Sequence, residues 1–240
     1  MATDVDTQIA VLISANAEWK CAIAYYRNPT CVTTPAGTCF VQKLAHHKVL
    51  FFHSGWGKVA SASATQYVID RWAPQLLINL GTCGGFTDCV QVGEVILPNE
   101  TLIYDIYERM GDAAAAVQAY STQLDLGFLC HPYPREVRVS RLVSADQDID
   151  PDLVFKLKEE YGAVAADWES GAIAWVAQRN HVNCLILRVV SDLVDGMGGE
   201  LYQQGSFAER AQEVFTPLLT GLPNWIRCAQ WGKEGETPLN

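Results

Sequence analysis

Ala163-Val164-Ala165-Ala166-Asp167-Trp168-Glu169-Ser170-Gly171-Ala172-Ile173-Ala174 carries a short apolar segment into two carboxylates and then into a run of small residues. Further on, Cys184-Leu185-Ile186-Leu187-Arg188-Val189-Val190-Ser191-Asp192 is a second apolar, β-branched run closing on an acid. The first reads as a strand over Ala163–Ala166 and a helix over Ser170–Asn180, the second as a strand over Cys184–Val190. Strand, helix and strand in succession imply an α/β protein, where small ligands gather at strand ends. Glu169 and Asp192 are therefore expected at the mouths of neighbouring strands.

The alternation continues in both directions. Ile9–Ile13 reads as a buried strand, and Ser14-Ala15-Asn16-Ala17-Glu18-Trp19 opens a helix after it, with Glu18 in the first turn. Phe40–Leu44 and Lys48–His53 form a hairpin-like pair, and Ser54-Gly55-Trp56-Gly57-Lys58 breaks them from a helix running to Trp72. The strand Leu76–Leu80 leads into Gly81-Thr82-Cys83-Gly84-Gly85, read as a glycine-rich turn whose amides approach a ligand. It is not G-x-G-x-x-G, so no dinucleotide fingerprint is present. Further strands are expected over Gly93–Pro98 and Val137–Ser144, a surface excursion over Gly111–Glu136, and a helix from Pro151 to Tyr161. A final helical region, Phe207–Cys228, is expected to break at Pro217 and Pro223. The predicted architecture is a three-layer α/β/α sandwich around a central mixed, mostly parallel sheet. It comprises one domain over residues 1–230 and a polar tail over residues 231–240.

Composition narrows the partners. The chain has 240 residues, 49% hydrophobic and 18% charged, with a net charge of −10. No Lys/Arg cluster offsets that field, which argues against a nucleic-acid partner. No apolar run approaches the roughly 20 residues that span a bilayer, so no membrane partner is expected. Eight cysteines without a C-x-x-C pair suit reduced, buried thiols, and Met1-Ala2-Thr3-Asp4-Val5-Asp6 is no signal peptide, so a cytoplasmic location is expected. His46, His47, His53, His131 and His181 share no ligand spacing; neither metal nor cofactor is expected.

The stretches Ile9–Glu18, Ser54–Ala60, Asn79–Gly85, Val92–Val95, Val143–Asp146, Asp167–Ala174 and Arg188–Asp192 together resemble the nucleoside phosphorylase and nucleosidase superfamily. Within it the likeness is greatest to the 5′-methylthioadenosine/S-adenosylhomocysteine nucleosidase branch. The resemblance implies cleavage of the N-glycosidic bond of a nucleoside through an oxocarbenium-like transition state, and a homodimer. Asp192 matches the acid that draws electron density into the leaving purine, and Glu169 the residue that grips the ribose hydroxyls. Glu18 matches the acid that activates water in hydrolytic members. Substrate contacts are further implied for Trp56, Thr82, Gly84, Ile149, Asp167, Trp168 and Ser191, and for Cys83 as a small packing group. Lys58 reads as a surface or helix-start cation.

Phosphorolytic relatives bind phosphate through arginines near the first loop and after the second glycine turn. No arginine stands between Ile9 and Cys21 or between His53 and Ala64, which favours hydrolysis. Trp168 replaces a common methionine, Trp56 a smaller aliphatic, and Asp148 the aromatic that stacks on adenine in this branch. The alternatives are a phosphate-dependent phosphorylase and a relative that binds nucleosides without chemistry.

Overall fold

Period-two alternation in the first strand, β1 (Ile9–Ile13), sorts the molecule into layers. Ile9, Val11 and Ile13 pack with Trp19, Phe215 and Leu219 on one side of the sheet, while Ala10 and Leu12 pack with Ala64, Val68 and Ile173 on the other. The first side is covered by α1 (Asn16–Tyr25) and the C-terminal helix α6 (Phe207–Cys228), the second by α2 (Gly57–Trp72) and α5 (Ser170–Arg179). Each β1 residue is buried, as a strand covered on both faces requires. The computed structural model describes residues 7–199 and 207–230; the expected polar tail lies outside them.

The remaining strands are β2 (Val32–Thr34), β3 (Gly37–Leu44), β4 (His47–His53), β5 (Leu76–Phe86), β6 (Val95–Ile103), β7 (Ser121–Gln123), β8 (Arg138–Ser144), β9 (Ala163–Asp167), β10 (Asn183–Asp195) and β11 (Gly198–Gly199). They join one mixed sheet, parallel through β4, β1, β5 and β10 and again through β6, β8 and β9. Antiparallel pairings of β6 with β10 and of β9 with β5 link those two parallel groups, which brings the ends of β5, β9 and β10 together. Two short helices, α3 (Ala113–Gln118) and α4 (Val154–Glu159), complete the described elements, α4 following a 3-10 turn over Pro151–Leu153. No helix among the described residues is long and apolar enough to cross a membrane.

Several expectations are corrected. Gly81–Gly85 is not a turn but the second half of β5. Its glycines serve close approach: a Cβ on Gly81 would lie 1.9 Å from Arg188 Nη1, and one on Gly84 2.6 Å from Ile149 Cδ1. Asp192 does not end its strand, because β10 continues to Asp195, and β9 and β10 are not neighbours but each pairs with β5. Pro217 and Pro223 do not interrupt α6. Burial of Phe215, Leu218, Leu219, Leu222 and Trp225 along that helix holds it together across the missing amide donors. The stretch 111–136 holds α3 and β7, and β2 was unread because three residues are too few for a period.

Candidate active site

Where β5, β9 and β10 converge, a cavity of about 470 Å³ opens between their ends, the start of α1 and the loop after β8. All twelve residues singled out above line it: Glu18, Trp56, Thr82, Cys83, Gly84, Asp148, Ile149, Asp167, Trp168, Glu169, Ser191 and Asp192. The volume suits a small molecule. Lys58 is not among the lining residues; its Nζ pairs with Asp105, and its amide donates to Asp146 Oδ1 at 2.6 Å, fastening the start of α2.

Arg188 organises the floor, and no role was read for it in the sequence. Its guanidinium donates from Nε to Ser170 Oγ (2.9 Å), from Nη1 to the Thr82 carbonyl (3.2 Å) and from Nη2 to Asn79 Oδ1 (2.9 Å). It also lies 2.8 Å from Asp167 Oδ2 and 3.6 Å from Glu169 Oε2. Burial works against its charge, but Asp167, Glu169 and Glu18 outweigh that and hold it protonated. The signal was available as the one charge inside the apolar run Leu185–Val190. A buried charge is kept only where partners surround it.

Asp167 is a brace. Its Oδ1 accepts from Ser144 Oγ (2.5 Å) and from the Glu169 and Ser170 amides (3.3 and 3.2 Å), while Oδ2 faces Arg188 and the Ser170 hydroxyl. The peptide that follows β9 is thereby fixed, and with it Glu169. Glu169 Oε1 accepts from the Gly57 amide at 3.1 Å, which ties the β9–α5 junction to the start of α2. Burial pushes the Glu169 carboxyl up to about 8, against the lowering pull of Arg188 and with Asp167 adding to it.

Glu18, 1% exposed, reaches across from α1 to β5. Its Oε1 accepts from the Thr82 amide (2.6 Å) and hydroxyl (2.8 Å), and Oε2 lies 3.4 Å from the Ala15 amide. Burial raises its carboxyl above the ordinary value, partly offset by Arg188 and by these hydrogen bonds. Asp192 owes its position to an irregularity. Val190 pairs with Cys83 and Asp192 with Gly84, so Ser191 is an extra residue in β10 that re-aims the chain. The Ser191 hydroxyl donates to Asp192 Oδ1 at 2.7 Å and also lies 3.2 Å from the Cys83 carbonyl. The Cys83 thiol is pushed well up by burial, so it packs rather than reacts.

The rim is different in kind. Trp56 is 60% exposed and Asp148 stands on the exposed loop after β8, while Ile149 beside it seats on Gly84. A layered α/β sheet with an acid-lined cavity at converging strand ends defines a small-molecule enzyme fold. The chain belongs to the phosphorylase superfamily, whose sequence model matches residues 8–222. Among curated relatives, the 5′-methylthioadenosine/S-adenosylhomocysteine nucleosidase of Tolumonas auensis is 32% identical over 163 residues, covering 63% of this chain and 71% of the relative. Among solved structures, the nucleosidase of the same name from Campylobacter jejuni matches with a TM-score of 0.75 at 18% identity, covering 92% of this chain and 98% of that one. The futalosine hydrolase of Helicobacter pylori matches with a TM-score of 0.74 at 14% identity, over 92% and 98% of the two chains. At such identities the structural likeness establishes the fold.

Proposed function

We propose that this chain hydrolyses the N-glycosidic bond of a purine nucleoside, with 5′-methylthioadenosine, S-adenosylhomocysteine or another 5′-substituted adenosine as substrate. The observation that carries this reading is the pairing, in one cavity, of a desolvated Glu18 with Asp192 on the re-aimed segment of β10. In the reaction Asp192 gives a proton to purine N7 as the C1′–N9 bond breaks, so the base leaves neutral. Glu18 takes a proton from water, whose oxygen bonds to C1′; burial raises its carboxyl above the ordinary value, which makes it a stronger base than an exposed glutamate. Glu169 holds the ribose hydroxyls, donating to one and accepting from another through a carboxyl that burial keeps protonated below about 8.

Water is favoured over phosphate as nucleophile by the charge around the cavity. Arg188 is the only cation among the described residues that line it, and every arm of its guanidinium already has a protein partner. The 5′-substituted adenosine is supported by the name of the Tolumonas relative. A homodimer is supported by Trp56 and Val59, 60% and 81% exposed beside the cavity at the start of α2. A cytoplasmic setting is supported by eight unpaired cysteines. The test is release of free base from a panel of purine nucleosides with and without phosphate. Base and free sugar at a phosphate-independent rate are expected. A sugar 1-phosphate product identifies a phosphorylase, and binding without release identifies a non-catalytic relative.

A further inference from the structure

Away from the cavity, the end of α6 meets the segment that precedes β8. Leu129 and Ala229 form an antiparallel bridge, with the Cys130 amide donating to the Cys228 carbonyl at 2.8 Å and the Gln230 amide to the Phe128 carbonyl at 2.7 Å. One step out from that bridge, Cys130 and Cys228 stand directly opposite each other. The 2.8 Å main-chain hydrogen bond between them holds their backbones side by side, and a disulfide spans Cα atoms roughly 4.4–6.8 Å apart. The Cys228 Sγ lies 3.0 Å from the Cys130 carbonyl oxygen, and Gln230 Nε2 lies 2.7 Å from the Cys130 Sγ. The Cys228 thiol thus lies against the main chain of Cys130, and the Cys130 thiol against the Gln230 side chain.

From this geometry we infer that Cys130 and Cys228 are a thiol-oxidation site, closed to a disulfide by low-molecular-weight disulfides such as oxidised glutathione. Cys130, half-buried, is the entry point, and Cys228, 8% exposed, is the resolving thiol. The Cys130 thiolate attacks one sulfur of oxidised glutathione, forming a mixed disulfide and releasing one glutathione thiolate. Cys228, having lost its proton to solvent, then attacks the Cys130 sulfur; the protein disulfide forms and the second glutathione leaves. Two protein thiols are oxidised and one glutathione disulfide is reduced. Burial pushes the Cys228 thiol up, consistent with a second, intramolecular step rather than the first. The closed bond fastens the end of α6 to the chain entering β8, enclosing residues 130–228 in one loop.

The other cysteines offer less. Cys21, Cys39, Cys83 and Cys184 are buried, half-buried Cys89 packs against the apolar core, and exposed Cys31 directs its thiol to the Pro29 carbonyl. The experiment treats the full chain with oxidised glutathione, blocks remaining thiols and maps peptides by mass spectrometry. A Cys130–Cys228 link is expected, reversed by dithiothreitol, with a melting temperature raised by about 5 °C or more. In Cys228→Ser the mixed disulfide should persist on Cys130, and in Cys130→Ser neither the link nor the melting shift should form. Glutathione lodged on Cys130 of the unaltered chain with Cys228 free, or reaction at Cys31 alone, overturns the proposal.

Discussion

The floor and the rim of the cavity are built on opposite principles. On the floor, Glu18, Asp167, Glu169 and Arg188 are all below 10% exposed, come from α1, β9, β10 and the start of α5, and are locked by reciprocal hydrogen bonds. On the rim, Trp56 and Asp148 stand in loops and face solvent. A buried charge network leaves little room for substitution, since removing one partner strands another. A rim residue changes with little effect on its neighbours. In the proposed function, bond breaking falls to the floor and selection of substrate to the rim.

The sharpest way to break that division is to neutralise the floor acids one at a time. Asp192→Asn and Glu18→Gln should each lower turnover by about 10²-fold or more, the range expected for a general acid or base, while nucleoside binding and the circular dichroism spectrum persist. Steady-state kinetics on a competent substrate decides it. Full activity in either variant detaches that acid from the reaction.

Arg188→Met probes the floor as structure. It leaves Asp167 and Glu169 without their cation, and breaking a buried pair from one side costs about 3–5 kcal/mol. Urea denaturation should show a loss of that size. Arg188→Lys should not restore it, because a single ammonium cannot reach Asp167, Asn79 and the Thr82 carbonyl together. A stable Arg188→Met variant refutes the view that the network holds the floor.

How much of this was legible in the sequence follows the same division. Apolar strands alternating with helices announced the layers, because one buried strand such as β1 must feed two cores. Asp167 and Asp192 stood out as acids following apolar runs, Glu18 as an acid in a first helical turn. Gly81–Gly85 misled because glycine signals both turns and close approach, and only the incoming Arg188 and Ile149 side chains distinguish the two. Arg188 was overlooked for a related reason: its meaning lies in partners 18 to 109 residues away along the chain. The extra residue at Ser191 is a register property of two strands, which a single strand's pattern does not carry.

Glu169 tests what the floor costs. Its carboxyl is pushed to about 8 in the folded protein, against an ordinary 4.5. Between those values the folded state keeps a proton that the unfolded chain has lost, so this group makes stability fall as pH rises through the window. For one proton the slope reaches at most about 1.4 kcal/mol per pH unit. Glu169→Gln should flatten that decline in denaturation series run across the window. An unchanged slope assigns the pH dependence to Glu18, whose carboxyl is raised in the same direction.

Asp148 should give the smallest effect, and its size is what makes the comparison quantitative. The residue lines the cavity yet stands exposed in its loop, where water and salt screen its charge. Exposed charge interactions are worth about 0–1 kcal/mol, which corresponds to no more than about a fivefold change in an equilibrium. Asp148→Asn should therefore leave turnover unchanged and move KM within that range. The shift should be larger for substrates carrying a charge on their 5′ group than for uncharged ones, and should shrink as ionic strength rises. Kinetics at low and high salt on charged and uncharged nucleosides separates these terms. A loss of turnover comparable to that of Asp192→Asn would place Asp148 in the chemistry and erase the boundary between rim and floor.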